Sequence, residues 1–345
     1  MKPPSFAARL VAWQRTHGRH DLPWQNTRDA YRIWLSEIML QQTQVATVVP
    51  YYQRFLAEFP DVHALAAAPL ARVLEHWSGL GYYRRAHHLH AAAKAVVTLH
   101  RGAFPDEAAT LATLPGIGRS TAAAIATFAG GAPAPILDGN VKRVLARHRG
   151  VPGVPDAPET VRALWRIAEM LLPGREAVAY TQGLMDLGAT VCTRRNPRCD
   201  DCPVAADCVA RTTARIDSFP SPRPKKPLPH RTVRVLVIER AGEILFERRP
   251  ATGVWGGLWS LPETAPDDNV AQHCQVRFGA AVVAGEALPS IEHGFTHYRL
   301  TIIPQRIGVR SWPPRAEAPG FVWLTREDAR EAALPAPIKR LLREL

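Results

Sequence analysis

Long apolar runs are missing from this chain of 345 residues. Without some 20 consecutive apolar residues there is no membrane-spanning helix, and Met1 to His20 lack the unbroken hydrophobic block of a secretion signal. The chain is therefore expected to work in solution inside a cell. Cysteine is scarce too, with five residues, four of them between Cys192 and Cys208. That clustering argues against a disulfide framework spread through a secreted protein and for a metal or cluster site in a reducing compartment. Runs rich in Val, Ile and Thr are rare before residue 230, so the first part of the chain is expected to be all-α. Acidic side chains are outnumbered, 31 against 43 Lys and Arg, which leaves a net charge of +12. Such an excess suits a polyanionic partner. Residues 1–218 hold 25 basic and 18 acidic side chains, and residues 219–230 add three cations and no anion.

The length calls for two domains. Apolar spacing predicts helices over residues 5–15, 70–76, 84–100, 107–112, 119–129, 140–148, 159–172 and 176–188. Between the first two of these lies Trp34 to Gln44, W-L-S-E-I-M-L-Q-Q-T-Q. On a helix entered near Thr27 to Tyr31, Glu37 shares its flank with Ile33, Trp34, Leu40 and Gln41, three of them apolar. A carboxyl half removed from water has its charged form disfavoured, so Glu37 is a candidate general acid. The helix should break at Gln41 to Thr43, with Thr43 capping a second helix that runs to Phe59.

In L-P-G-I-G-R-S-T, Leu114 to Thr121, a proline and two glycines precede an Ala-rich helix. Gly116 and Gly118 permit close approach of the backbone, and the free N–H groups of the next helix suit a phosphate. The same pattern also suits a tight interhelical turn. Asp138, in I-L-D-G-N-V-K-R-V-L, stands where a proline-containing loop meets a helix, the natural place of an N-cap. The helix dipole and N–H donors should keep it ionised, the opposite tuning from Glu37. One protonated and one anionic carboxyl are what cleavage of a glycosidic bond needs. Lys142 and Arg143 add positive charge for a nucleic-acid backbone. Cys192, Cys199, Cys202 and Cys208, spaced C-x6-C-x2-C-x5-C, suit a [4Fe-4S] cluster, with zinc as the runner-up.

Taken together, Glu37, the hairpin, Asp138 and the four-cysteine loop resemble the adenine DNA glycosylases of the MutY family, within the helix-hairpin-helix group of endonuclease III. The resemblance implies removal of adenine mispaired with 8-oxoguanine or guanine in duplex DNA, by a monomer in a bacterial-type cytoplasm at the nucleoid, with no membrane partner. It implies that Asn140 orients Asp138, and that Gln42 and Tyr82 enter or brace the duplex with support from Gln41 and Thr43. Trp24, Gln25 and Gln182 match positions near the extruded base. Gly116, Gly118, Ser120 and Lys142 face the DNA backbone. Bifunctional relatives carry a lysine where Ser120 stands, and a hydroxyl cannot form their Schiff base, so base removal without strand cleavage is expected. A bifunctional lyase and a non-catalytic mismatch-binding protein are the alternatives.

Residues 219–230 hold five prolines and three cations and read as a stiff linker without packed structure. Beyond it, Val233 to Glu239 and Ile244 to Arg248 read as strands around an Ala241-Gly242 turn. Val254 to Glu263 resembles the start of an α/β Nudix domain spanning residues 231–345. Where a Nudix hydrolase needs metal-binding glutamates the chain has Gln272, Gln275 and Val276, so recognition rather than hydrolysis is expected. Phe295, Thr296 and His297 match a family loop that touches 8-oxoguanine, usually with serine at the Thr296 position. Cys274 reads as a buried thiol, and His87, His88 and His90 as helix-surface residues.

Overall fold

The computed structural model describes residues 4–223, 227–313 and 320–345. The chain divides into two compact units, Met1–Ala67 with His88–Pro224, and Ala68–His87 with Lys225–Leu345. The helices of the first stretch are α1 (Phe6–His17), α2 (Ala30–Leu40), α3 (Val45–Glu58) and α4 (Val62–Ala67). Helix α5 (Leu70–Trp77) belongs to the second unit, and the division between units falls within α6 (Arg84–His100). The first unit continues with α7 (Ala108–Leu111), α8 (Arg119–Gly130), α9 (Gly139–Arg149), α10 (Pro158–Leu171), α11 (Ala177–Asp186), a π-helical turn (Leu187–Val191) and the short α12 (Val209–Thr212).

Local chemistry accounts for where these helices begin. Asp29 caps α2 by accepting from the N–H groups of Tyr31 and Arg32, and Asp138 caps α9 by accepting from Val141. Thr43, the expected cap of α3, does not serve. Its N–H bonds back to Leu40, its hydroxyl turns to the Gln41 carbonyl, and α3 starts from Gln44 without a side-chain cap. The core of this unit is built by α1, α8, α9, α10 and α11 around Leu10, Val141, Leu145, Leu164 and Leu184. Helix α4 is too short to show a periodic pattern and was not anticipated from sequence.

The second unit is a mixed eight-stranded sheet. Its strands are β1 (His230–Arg240), β2 (Glu243–Arg248), β3 (Trp259–Ser260), β4 (Glu263–Thr264), β5 (Ala281–Ala287), β6 (Ile291–Gly294), β7 (Arg299–Ser311) and β8 (Phe321–Thr325). The order β3-β2-β1-β7-β5 has β1 and β7 parallel, with His230 opposite Arg299 and Glu239 opposite Gly308. Helix α13 (Val270–Phe278) packs Val270, Cys274 and Phe278 against Leu236, Ile238 and Ile307. Helices α14 (Arg326–Glu331) and α15 (Ala336–Glu344) end the chain. Cys274 is fully buried.

Three expectations need correction. A first region ending at residue 218 omits that residues 68–87 cluster with the C-terminal part. There the Ser78 hydroxyl donates to the Leu334 carbonyl, and His87 pairs with the Gly256 carbonyl. The stretch 219–230 is not free of packing. Phe219 is buried, the Ser221 N–H donates to Gly153, and the Ser221 hydroxyl accepts from the Gly153 N–H. Residues 224–226 lie outside the described residues, and His230 already opens β1. The histidines of α6 are not a solvated face either, since His90 is buried and His88 lies under the hairpin glycine Gly116.

Leu145 is completely shielded from solvent within the α9 core. Leu145→Ala is expected to cost about 2–5 kcal/mol of stability, read from the midpoint of chemical denaturation. A loss under about 1 kcal/mol would mean that α9 is not held by this core.

Candidate active site

Glu37 lies two-thirds of the way along α2, with Ile33 and Trp34 one turn behind it, both buried, and Leu40 and Gln41 one turn ahead. It keeps a solvent-facing edge on a cleft of about 750 Å³ in the first unit. The protein around that edge strips most of its hydration, and the negative charge of Asp138 adds to this. Together they push the Glu37 carboxyl up to about 8. Trp24, Gln25, Gln182 and Met185 line the same cleft. Trp24 is buried and meets Tyr52 edge to face, ring centres 5.3 Å apart.

Asp138 corrects the expectation that its position at a helix N-terminus keeps it low. Burial raises its proton affinity above the ordinary aspartate range, while N–H donors from Val141 (2.7 Å) and Asn140 and the charges of Arg143 and Lys142 pull it back. Glu37 has no such compensation, since burial and Asp138 both act on it in one direction. The pair therefore gives up its first proton from Asp138, and the proton that remains rests on Glu37. Asn140 acts on Asp138 through its backbone N–H. Its side-chain oxygen instead accepts from Arg143 at 2.9 Å.

The helix junction after α2 presents the three expected residues together. Gln41 closes α2 and reaches the Thr121 hydroxyl at 3.5 Å, Gln42 is exposed with a φ of 59°, and Thr43 follows in the turn. A positive φ at a residue with a Cβ costs about 1–3 kcal/mol and is typical of ligand clamps. In the second unit Tyr82 shares the property, with a φ of 49° and the residue 46% exposed. Beneath it the Arg85 guanidinium sits over the Trp77 and Tyr82 rings and donates to the Gly81 carbonyl. Phe295, Thr296 and His297 form the turn between β6 and β7, closed by the Phe295 N–H to the Tyr298 carbonyl at 2.9 Å. Phe295 packs on Trp255, His293 and Tyr298, leaving Thr296 and His297 exposed.

The hairpin joins α7 to α8. Gly116 has a φ of 76°, and a Cβ there would stand 2.7 Å from that of His88, so only glycine fits. Gly118 differs. It caps α8 in extended backbone, a Cβ would meet open space, and no side chain caps the first turn. Nothing inside the fold requires glycine there, which suits approach from outside. Ser120 is turned inward and Lys142 is held in an ion pair at the surface. The Ser120 hydroxyl accepts from the Leu137 N–H at 2.9 Å, and Lys142 is paired with Asp156 at 2.8 Å, a carboxylate it shares with Arg223. Lys142 is thus no free backbone cation.

Two features escaped the sequence. Asp186, wholly buried, accepts from Gln182 one turn before it and from Arg19, which only folding brings near. Arg147, also buried, donates to the carbonyls of Thr193, Arg194 and Phe219 and lies 3.5 Å from the Cys192 sulfur. Both lie on helices whose pattern reads only as amphipathic.

Cys192, Cys199, Cys202 and Cys208 are unpaired thiols lining one pocket with Val144, Arg147 and Leu187. Burial pushes the Cys202 thiol up to about 11, so this donor becomes a thiolate only with a cationic group to hold. A single zinc needs every sulfur about 2.3 Å from one point. Among the described residues no three His, Cys, Asp or Glu side chains are so gathered. Four separated thiolates around one pocket suit an iron–sulfur cluster better. Arg147→Met removes the bonds that shape this loop. Its iron content per chain is expected to fall well below wild type with helix content unchanged, and full iron loading would show that the loop holds itself.

Comparison with known proteins agrees with this arrangement. Residues 35–170 match the model of the HhH-GPD superfamily base excision DNA repair proteins, residues 192–208 the iron-sulfur binding domain of endonuclease III, and residues 234–344 the NUDIX domain. The adenine DNA glycosylase of Buchnera aphidicola subsp. Acyrthosiphon pisum (strain APS) is 32% identical over 98% of this chain and 96% of its own length. That of Homo sapiens is 32% identical over 98% of this chain and 73% of its own. A thermostable thymine-DNA glycosylase is similar in structure, with a TM-score of 0.55 and 30% identity over 60% of this chain and 95% of that one. Endonuclease III bound non-covalently to DNA shares the fold, with a TM-score of 0.51 and 20% identity over 60% of this chain and 94% of that one. With near full-length identity to such relatives, a helix-hairpin-helix fold and a [4Fe-4S] loop, the chain belongs to the adenine DNA glycosylase family.

Proposed function

We propose that this adenine DNA glycosylase acts on adenine opposite 8-oxoguanine or guanine in duplex DNA, with Glu37 as acid and Asp138 as anion. The observation that carries the reading is the unequal tuning of two neighbouring carboxyls, one left uncompensated and one given N–H donors. Extruding the base costs a few kcal/mol, least at a mispair. Gln42, braced by Gln41 and Thr43, enters the space it leaves, and Tyr82, backed by Arg85, braces the duplex. In the cleft Glu37 transfers its proton to N7 of the adenine ring, and the glycosidic bond breaks with its electron pair leaving on the base. Asp138 stabilises the cationic sugar, or bonds to it transiently, until water completes the displacement. Gly116 and Gly118 bring the backbone to a phosphate. The cluster, when bound, ties the loop from Cys192 to Cys208 into one rigid piece.

Ser120 supplies no amine to attack the sugar, so the strand stays intact. The exposed Thr296 and His297 on their aromatic base suit contact with the oxidised guanine, and the methyl of Thr296 adds bulk where relatives carry serine. No helix among the described residues is long and apolar enough to cross a membrane, and chromosomal DNA in the cytoplasm is the natural place of action.

Glu37→Gln keeps the shape and removes the proton, and single-turnover excision is expected to drop about 10²- to 10⁴-fold with duplex affinity retained. Near-normal excision would remove Glu37 from the acid role. Because the reaction needs Glu37 protonated and Asp138 ionised, the wild-type rate should be bell-shaped, falling toward acid pH as Asp138, whose proton affinity burial raises, takes up its proton, and falling again as pH climbs past about 8, the value to which Glu37 is raised. A rate that keeps rising through that range contradicts the assignment. Phe295→Ala should narrow the preference for A:8-oxoG over A:G, and equal losses on both duplexes would separate the β6–β7 turn from lesion reading.

A further inference from the structure

We infer that Asp186 is a positioning residue that sets which end of the Gln182 side-chain amide faces the base. Asp186 is fully enclosed at the end of α11, and its carboxylate takes three donors. The Arg19 N–H reaches Oδ2 at 3.0 Å, while the Arg19 Nε–H at 2.7 Å and the Gln182 Nε2–H at 2.9 Å reach Oδ1. Two of the three come from a loop 167 residues away in sequence, which holds the carboxylate at a fixed depth behind the cleft wall. An ionised carboxylate only accepts, so the amide of Gln182 must offer it the NH₂ end. The carbonyl oxygen is then the end left for the cleft that Gln182 lines together with Glu37 and Trp24.

An acceptor at that place selects a base with an exocyclic amino group. Adenine donates from N6, whereas hypoxanthine, the same ring system with oxygen at that carbon, presents an acceptor and is repelled. The inference rests on the reading of this cleft as the adenine pocket and adds to it the reason why a residue with two-faced hydrogen bonding discriminates. Shape cannot supply this discrimination, since amino and oxo groups are nearly equal in size. The turn after Asp186 supports the arrangement. The π-helical residues Leu187–Val191 begin there, and the Thr190 hydroxyl donates back to the Asp186 carbonyl at 2.8 Å. Gly188 in the same turn comes so near Asn140 that a Cβ would stand 2.6 Å from that of Asn140, which ties this wall of the cleft to the start of α9.

The test is single-turnover excision from duplexes carrying adenine or hypoxanthine opposite guanine, compared as a ratio for each variant. Asp186→Asn can turn its own NH₂ toward Gln182 and release the amide to flip, so the adenine preference is expected to shrink about tenfold, the worth of one hydrogen bond. Arg19→Lys, which keeps a positive charge beside the carboxylate and the main-chain donor while changing the packing, should keep the preference, so a merely structural effect is told apart. Gln182→Glu in the Asp186→Asn background has acceptors on both faces and should restore the preference; this double variant is decisive by itself where Asp186→Asn alone does not fold. Gln182→Leu reports on the underlying pocket. If it narrows the ratio while Asp186→Asn leaves it at the wild-type value, the positioning role is overturned and the pocket stands. If Gln182→Leu leaves the ratio unchanged, Gln182 does not face the base, and both fall.

Discussion

Two carboxyl groups that would each prefer to lose a proton in water are brought close in a place that water reaches poorly, and the catalytic half of the molecule is organised around that conflict. Charge on either is disfavoured by burial, and charge on both is disfavoured again by repulsion. The fold resolves the conflict by giving its N–H donors to one side. Asp138 stands at the head of α9 and receives Val141 and Asn140, while Glu37 sits mid-helix on α2, where the backbone has no donor to spare. A single proton therefore has a definite resting place. The difference comes from helix geometry.

Helix α9 couples that pair to the cysteine loop. Its cap residue Asp138 is one of the two carboxyls, and a turn further Arg143 donates to Asn140, Gly188 and the Cys192 carbonyl. A turn beyond that, Arg147 gathers three carbonyls and lies against the Cys192 sulfur. Planar guanidinium groups with several donors suit this task, because each can satisfy several buried carbonyls that would otherwise be left without partners. A loop that must hold a cluster is thus built from the same helix that orients Asp138, so disorder in one is transmitted to the other by rigid connection.

The second unit carries the match to the NUDIX domain over residues 234–344. Helix α13 presents Gln272, Gln275 and Val276 to solvent, while its other face carries Val270, Cys274 and Phe278 into the core. On the sheet, Glu247 is paired with Arg277 and Glu263 with Arg249. Residues 68–87 join this unit through backbone acceptors at Leu334 and Gly256, contacts that carry no periodic signature.

What the sequence by itself determined was local in origin. The flank of Glu37 follows from helical spacing at Ile33, Trp34, Leu40 and Gln41, the capping role of Asp138 from its place before an apolar helix, and the cluster loop from four cysteines in seventeen positions. Each depends on residues within a turn or a short loop, so the pattern survives in one dimension. What only the tertiary structure decided depends on groups far apart in the chain. Burial raises Asp138 where the helix terminus alone would have lowered it, Asp156 and Arg223 enclose Lys142, Leu137 occupies Ser120, and Arg19 meets Asp186. Desolvation and long-range pairing are properties of the packed surroundings, and no local pattern of residue types encodes them.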